Sequence, residues 1–249
     1  MTDQMTTDVP PALRRALDLL AYPPAEPDVS SGYLDLLGAL PEADVAPSKN
    51  TGLIQAAWAS ELGSLFYDNA QAFARKVVSA WQLPIDWLSI PSGGTILDVG
   101  SGPGNITASL ARAAGPDGLA LGVDISEPML ARAVRAAAAP NVGFLRADAQ
   151  QLPFRDKTFD AAVSLAVLQL IPNPTTTVAE IARVLKAGGR VAVMVPTAGR
   201  GGELLRWLPN GGAHFFDEDE LGDAFEEVGF VSVRTKTLGN IQWVRGKKA

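Results

Sequence analysis

The chain has 249 residues with 21 basic and 27 acidic side chains, a net charge of −6, and 47% hydrophobic residues. This is enough for one large α/β domain or a domain with a helical extension, and the acidic balance, with no basic run beyond Lys247-Lys248, argues against a nucleic-acid partner. The absence of cysteine removes disulfides, thiolate nucleophiles and cysteine-held metal or iron–sulfur centres, and the lack of an N-terminal leader or a transmembrane-length apolar run leads to the expectation of a soluble, cytoplasmic protein.

Residues 1–9 are polar. Residues 10–21 are predicted helical, with Pro10 and Pro11 at the start and Leu13, Leu17 and Leu20 on one face. Residues 22–31 are proline-rich and read as a loop, 32–40 form a short apolar segment, and 41–51 a linker. Helical periodicity returns over 53–59, 61–67 and 68–81, with Trp58, Phe66, Tyr67, Phe73 and Trp81. Residues 1–90 are therefore expected to form an N-terminal helical cap or lid, ahead of a ligand-binding domain over 91–249.

From Gly94 the pattern alternates between strands and helices, which implies parallel strands joined by right-handed crossovers. Strands are predicted at 95–99, 119–123, 142–146, 159–164 and 190–195, and helices at 105–114, 127–138 and 175–185. The last two strands, 230–237 and 241–245, are joined by Leu238-Gly239-Asn240, too short for a crossover, and so form a hairpin. The expected fold is α/β: a seven-stranded, mostly parallel, Rossmann-like sheet closed by an antiparallel C-terminal hairpin.

The first predicted strand runs into Asp98-Val99-Gly100-Ser101-Gly102-Pro103-Gly104-Asn105. Glycines permit positive φ and let a ligand approach the backbone, and the following helix offers free N–H groups to an anionic group. A dinucleotide fingerprint needs a third glycine where Asn105 stands, so its spacing is broken. The acid two residues before Gly100 instead suits a ligand with an ammonium or amino-acid end.

In an open α/β sheet the ligand crosses the carboxyl ends of the strands. Asp98, Asp124 and Asp148 fall at three successive predicted strand ends, which together describe one nucleoside site. Asp124, followed by Ile125, is placed to accept both ribose hydroxyls. Met129, one helical turn on, is placed to face an adenine ring, and Asp148 to accept from its exocyclic amine. Each acid taken alone also fits a turn or helix cap.

The Asp98-x-Gly100-x-Gly102-x-Gly104 arrangement resembles the first motif of class I S-adenosylmethionine-dependent methyltransferases. The run 149–161, Ala-Gln-Gln-Leu-Pro-Phe-Arg-Asp-Lys-Thr-Phe-Asp-Ala, is similar to the "ADAxxLPFxDxxFD" stretch of the ubiquinone/menaquinone-type branch, and 180–190 to its "EixRvLkpGG" turn. The resemblance covers about residues 94–195, weakly 214–245, and none of 1–90. It implies S-adenosyl-L-methionine as cofactor, lined by Gly100, Gly102, Gly104, Asp124, Asp148 and Ala149, with Leu165 at the methionine part. Ser101 and Asn105 complete the loop. The missing cysteines exclude radical use of this cofactor.

Methyl transfer from a sulfonium needs alignment more than a protein nucleophile. His214, the only histidine, is a candidate base or orienting donor, or else a loop residue packed beside Phe215 and Phe216. Gln169 stands where many relatives carry histidine, and an amide cannot take a proton. Asp217-Glu218-Asp219-Glu220 reads as a helix start rather than a metal site. The glycine-rich segment 197–213, with Trp207, and the aromatics Tyr33, Trp58, Phe66, Tyr67 and Phe215 are candidates to line the acceptor pocket, although such residues are also ordinary core. Together these features predict a methyltransferase acting on O or C of a small lipophilic molecule: a fatty acid, a polyketide or quinone, or a glycolipid. The carboxylate is attractive because it needs no base. A monomer or homodimer is expected. The alternatives are a nucleotide-cofactor oxidoreductase and a non-catalytic methyltransferase-like binding protein.

Overall fold

The computed structural model describes residues 9–38, 85–197, 214, 216–239 and 241–249. Its strands are β1 (Leu34–Asp35), β2 (Thr95–Val99), β3 (Leu119–Asp124), β4 (Val142–Arg146), β5 (Phe159–Leu165), β6 (Leu185–Pro196), β7 (Phe230–Leu238) and β8 (Ile241–Lys248). They form one sheet in the order β1-β4-β3-β2-β5-β6-β8-β7. β1 to β6 pair in parallel, and β8 lies antiparallel between β6 and β7. The fold is thus α/β, with a mostly parallel Rossmann-like sheet and an antiparallel C-terminal hairpin.

The described helices are α1 (Pro11–Leu17), α2 (Ile85–Leu88), α3 (Asn105–Ala114), α4 (Glu127–Ala136), α5 (Pro174–Val184) and α6 (Glu220–Glu227). Strand alternation sorts the core into two faces. Leu97 and Val99 join the apolar cluster that holds Leu13 of α1, Ile181 of α5 and Phe225 of α6. Ile96 joins the opposite cluster, with Leu88 of α2, Leu110 of α3 and Leu130 of α4. Both faces are covered, as near-continuous apolar strands require. Because β2 lies between β3 and β5, the chain reverses direction across the sheet there, and that reversal opens a crevice at the carboxyl ends.

Three details differ from the sequence expectation. An eighth strand, β1, pairs Leu34 with Leu145 and Asp35 with Arg146; two residues are too few to show periodicity. The first helix ends at Leu17 instead of continuing to Ala21, because Leu20 forms a bridge with Phe154, Ala21 N–H donates to Pro153 O, and Arg155 N–H donates to Leu19 O. Tertiary pairing overrides helix propensity here. The strand expected at 190–195 begins at Leu185 and carries a register shift against Phe159 and Ala161. Of the expected cap, residues 9–38 share the core cluster of the sheet through Ala12, Leu13, Ala16 and Leu20. Residues 39–84 and 198–213 lie outside the described residues.

Candidate active site

The glycine loop turns at the end of β2. Gly100 and Ser101 N–H groups both donate to Val123 O, at 2.8 and 3.0 Å, which folds the loop over the end of β3. Gly100, Gly102 and Gly104 all have positive φ, at 75°, 49° and 80°. Their surroundings differ. A Cβ on Gly100 would overlap Val167, and one on Gly104 would sit 2.6 Å from Phe144 Cζ, whereas one on Gly102 would meet no described atom within 4 Å. The outer two glycines serve packing, and the middle one presents backbone to a space that no described residue fills. Asn105, exposed, begins α3, whose first N–H groups have no intrahelical partners.

Asp124 at the end of β3 binds this loop. Its Oδ2 accepts Gly102 N–H at 2.8 Å and its Oδ1 accepts Ser126 N–H at 2.9 Å, leaving further lone pairs for hydroxyl donors. Burial pushes its carboxyl above the usual range against the pull of the Ser126, Gly102 and Ile125 amides. Asp98 is deeper, 2% exposed, and accepts Thr107 Oγ1–H at 2.6 Å from the first turn of α3. Burial pushes it up to about 7; the Thr107 bond opposes this and the neighbouring Asp124 charge adds to it.

Asp148 follows β4 and closes a turn, its Oδ1 accepting Gln150 N–H at 2.8 Å. Ile125, Met129, Asp148, Ala149 and Leu165 are all half-buried at the same end of the sheet. Ala166, just beyond β5, has φ 58° and is exposed, a sparsely populated conformation for a residue with a Cβ. The Ser101 hydroxyl in the loop is buried, with no hydrogen-bond partner among the described residues.

On the other side of the crevice, the structure joins the two candidate acceptor-side residues. His214 N–H donates to Gln169 O at 2.7 Å, and Gln169 sits in the 3-10 turn Leu168–Leu170 that follows β5. The Gln169 side chain is buried, and its Oε1 has no partner among the described residues. His214 Nε2 lies 2.6 Å from Glu220 Oε1, and the imidazole stands edge-on to Phe216 at 4.5 Å. The acidic run behaves as a helix start: α6 begins at Glu220, whose Oε2 accepts Asp217 N–H at 3.0 Å. Tyr33 is buried in the apolar cluster that also holds Leu130, Ala133 and Phe144. Trp58, Phe66, Tyr67, Trp207 and Phe215 lie outside the described residues.

Sequence reasoning missed two groups. Arg146, at the end of β4, forms ion pairs with Asp35 at 2.9 Å and Glu127 at 3.0 Å, beside the Asp124 turn. Its position directly before Ala147-Asp148 is the one local signal. Glu220, the partner of His214, carried no signal beyond its place in an acidic run. Arg146 thus neutralises Asp35 and Glu127, while Asp98, Asp124 and Asp148 at the neighbouring strand ends accept hydrogen bonds from Thr107, from Gly102 and Ser126, and from Gln150.

The chain matches a methyltransferase domain over residues 97–193. It is 31% identical to the demethylmenaquinone methyltransferase of Staphylococcus aureus (strain JH9) over 177 residues, covering 61% of this chain and 73% of that protein. Among solved structures, it is similar to a SAM-dependent methyltransferase from Aquifex aeolicus, at 23% identity and TM-score 0.55 over 66% of this chain and 87% of that one. It also resembles phosphoethanolamine N-methyltransferase 2 of Haemonchus contortus in complex with phosphomonomethylethanolamine and S-adenosylhomocysteine, at 18% identity and TM-score 0.56, over 63% and 49% of the two chains. The family match and the Staphylococcus aureus relative displace the oxidoreductase alternative and support an enzyme over a non-catalytic binding protein. The chain belongs to the class I S-adenosylmethionine-dependent methyltransferases.

Proposed function

We propose that this enzyme methylates O or C of a small lipophilic acceptor, with a quinone-type ring placed ahead of a fatty acid or a glycolipid. The ring leads because the Staphylococcus aureus relative is a demethylmenaquinone methyltransferase. Bound S-adenosylmethionine supplies an electrophilic methyl group on a sulfonium. Gly100, Ser101, Gly102, Gly104 and Asn105 cradle its amino-acid end; Asp124 takes the ribose hydroxyls; Ile125, Met129, Asp148 and Ala149 hold the adenine; Leu165 packs on the methionine chain. Asp98 adds negative charge beneath the loop. His214 and Gln169 stand on the acceptor side.

The observation that carries this reading is the pairing of Asp124 Oδ2 with the Gly102 N–H at 2.8 Å beside the open face of Gly102. It brings a carboxylate with spare lone pairs and bare backbone to one place, as a nucleoside with a charged tail requires. Calorimetric titration of S-adenosylhomocysteine into wild type and Asp124→Ala tests it. Binding that is lost in the variant supports the assignment; equal binding refutes it.

A further inference from the structure

The imidazole of His214 is held at three points. Its backbone N–H is anchored on Gln169 O, its ring edge rests against buried Phe216, and Nε2 lies 2.6 Å from Glu220 Oε1. Phe216 bridges to Thr197 just beyond β6, so the ring sits where the ends of β5 and β6 meet. Glu220 is itself fixed, because its second oxygen accepts Asp217 N–H. The hydrogen bond made by one imidazole nitrogen sets the state of the other. A carboxylate only accepts, so in the neutral imidazole this contact favours the tautomer with the proton on Nε2 and the lone pair on Nδ1. Among the described residues nothing bonds Nδ1.

We propose that Glu220 is the positioning residue for His214, holding its proton on Nε2 so that Nδ1 receives the proton of the acceptor. The acceptor is then a phenolic or hydroquinone hydroxyl rather than a carboxylate. This inference rests on the methyl-transfer reading above and supplies the base whose absence made a carboxylate attractive. The acceptor's O–H proton passes to Nδ1. The oxygen, or the ring carbon it activates, forms the new bond to the methyl carbon, and the pair of the broken carbon–sulfur bond stays on sulfur. For the ring-carbon route, rearomatisation returns that carbon's proton to solvent. The imidazolium is balanced by Glu220 and sheds its proton to water, since the His214 side chain is 42% exposed.

His214 is the only histidine, so nitrogen-15 labelling of histidine gives one imidazole spectrum. In the S-adenosylhomocysteine complex the expected spectrum shows a protonated Nε2 and an unprotonated Nδ1. Glu220→Ala should let both nitrogens move toward exchange-averaged positions. A proton on Nδ1 in wild type, or an unchanged spectrum in the variant, overturns the proposal, and the wild-type spectrum decides alone if the variant does not fold. Labelled-methyl transfer is then measured to 1,4-naphthohydroquinone and to palmitate. Label on the hydroquinone, with kcat lowered about tenfold or more by Glu220→Ala and KM within about twofold, supports the assignment. Label on palmitate alone, or on neither, overturns the acceptor class. Loss of S-adenosylhomocysteine binding by wild type would instead defeat the methyl-transfer reading and leave the tautomer result standing.

Discussion

Arg146 Nη1 lies 2.9 Å from Asp35 Oδ2, and the same guanidinium reaches Glu127 through Nη2 at 3.0 Å. Asp35 belongs to the edge strand near the N-terminus, whereas Glu127 starts the helix that follows the Asp124 turn. The guanidinium therefore ties the N-terminal edge of the sheet to the proposed ribose turn. Asp35 is further fixed by accepting Leu37 and Gly38 N–H groups on its Oδ1. Arg146→Met should weaken S-adenosylhomocysteine binding about threefold to tenfold and destabilise the fold by about 1 kcal/mol, as expected for a half-exposed network. Titrations at low and high salt check the cause. The wild-type advantage should shrink at high salt, and an undiminished affinity in the variant would uncouple the edge strand from the site.

Asp98 makes both stability and binding depend on pH. Its carboxyl is raised from 3.8 to about 7, so the folded protein holds this proton at pH values where the unfolded chain has lost it. The stability it contributes is present below about pH 4 and is lost as pH rises through about 7. Asp98→Asn retains an acceptor for Thr107 and removes the buried charge. The variant should melt higher than wild type at about pH 8, by several degrees, with the gap closing at lower pH. A cationic ligand favours the ionised form, so wild-type affinity for S-adenosylmethionine should rise between about pH 6 and pH 8. In Asp98→Asn the affinity should be lower and the slope shallower, with Asp124 still contributing because burial raises it too. Equal slopes would remove Asp98 from the binding site.

What was legible in the sequence was local. The glycine spacing after β2, the acids at the ends of β3 and β4 and the short turn between β7 and β8 are each written within a few residues, and periodicity reports them directly. The missed features join distant parts of the chain. β1 is two residues long and acquires its meaning only beside Leu145 and Arg146. Asp35 and Arg146 are separated by 111 positions. The contact between His214 and Glu220 spans only 6 positions, yet it depends on a turn whose shape no pattern in 214–220 announces. Resemblance found the 149–161 and 180–190 motifs, but their physical role lies in the hydrogen bonds that Arg183 makes between them.

Two neighbouring glycines should respond oppositely to the same methyl group. A Cβ on Gly104 would lie 2.6 Å from Phe144 Cζ and 3.0 Å from Ala133 Cβ, both in packed core, so Gly104→Ala should cost about 2–4 kcal/mol through overpacking and left-handed strain together. Gly102→Ala meets no described atom within 4 Å and carries only the strain, about 1–2 kcal/mol. It should fold and yet bind S-adenosylhomocysteine at least about tenfold more weakly, because its methyl group occupies the ligand's approach. Thermal melting and titration on both variants separate the effects. If Gly102→Ala binds like wild type, the open face of that residue is not the ligand's face.

Arg183 explains why the two motifs found by resemblance occur together. Its Nε and Nη2 each lie 2.7 Å from a carboxylate oxygen of Glu180, a bidentate pair. Nη1 donates to Phe154 O at 2.7 Å and Asp156 Oδ1 at 2.8 Å, and Nη2 also donates to Leu152 O at 2.8 Å. Glu180 in turn accepts Leu152 N–H at 2.8 Å. Glu180, foremost, and then Asp156 hold the guanidinium protonated more firmly than usual against partial burial. The clamp fixes the loop that carries Phe154, which packs edge-on against Phe159 at 4.8 Å and bridges to Leu20. Arg183→Met would remove the guanidinium from two carboxylates, Glu180 and Asp156, and two carbonyls, and should destabilise the fold by about 2–3 kcal/mol, discounted for the exposed side of the pair. Arg183→Lys should recover only part of this, since an ammonium cannot serve the fork of acceptors. Denaturant unfolding measures both. In the cold, where the variants remain folded, S-adenosylhomocysteine affinity should stay within about threefold of wild type. A larger loss would mean that the 152–156 loop shapes the cofactor site itself and does not only hold the N-terminal segment to the sheet.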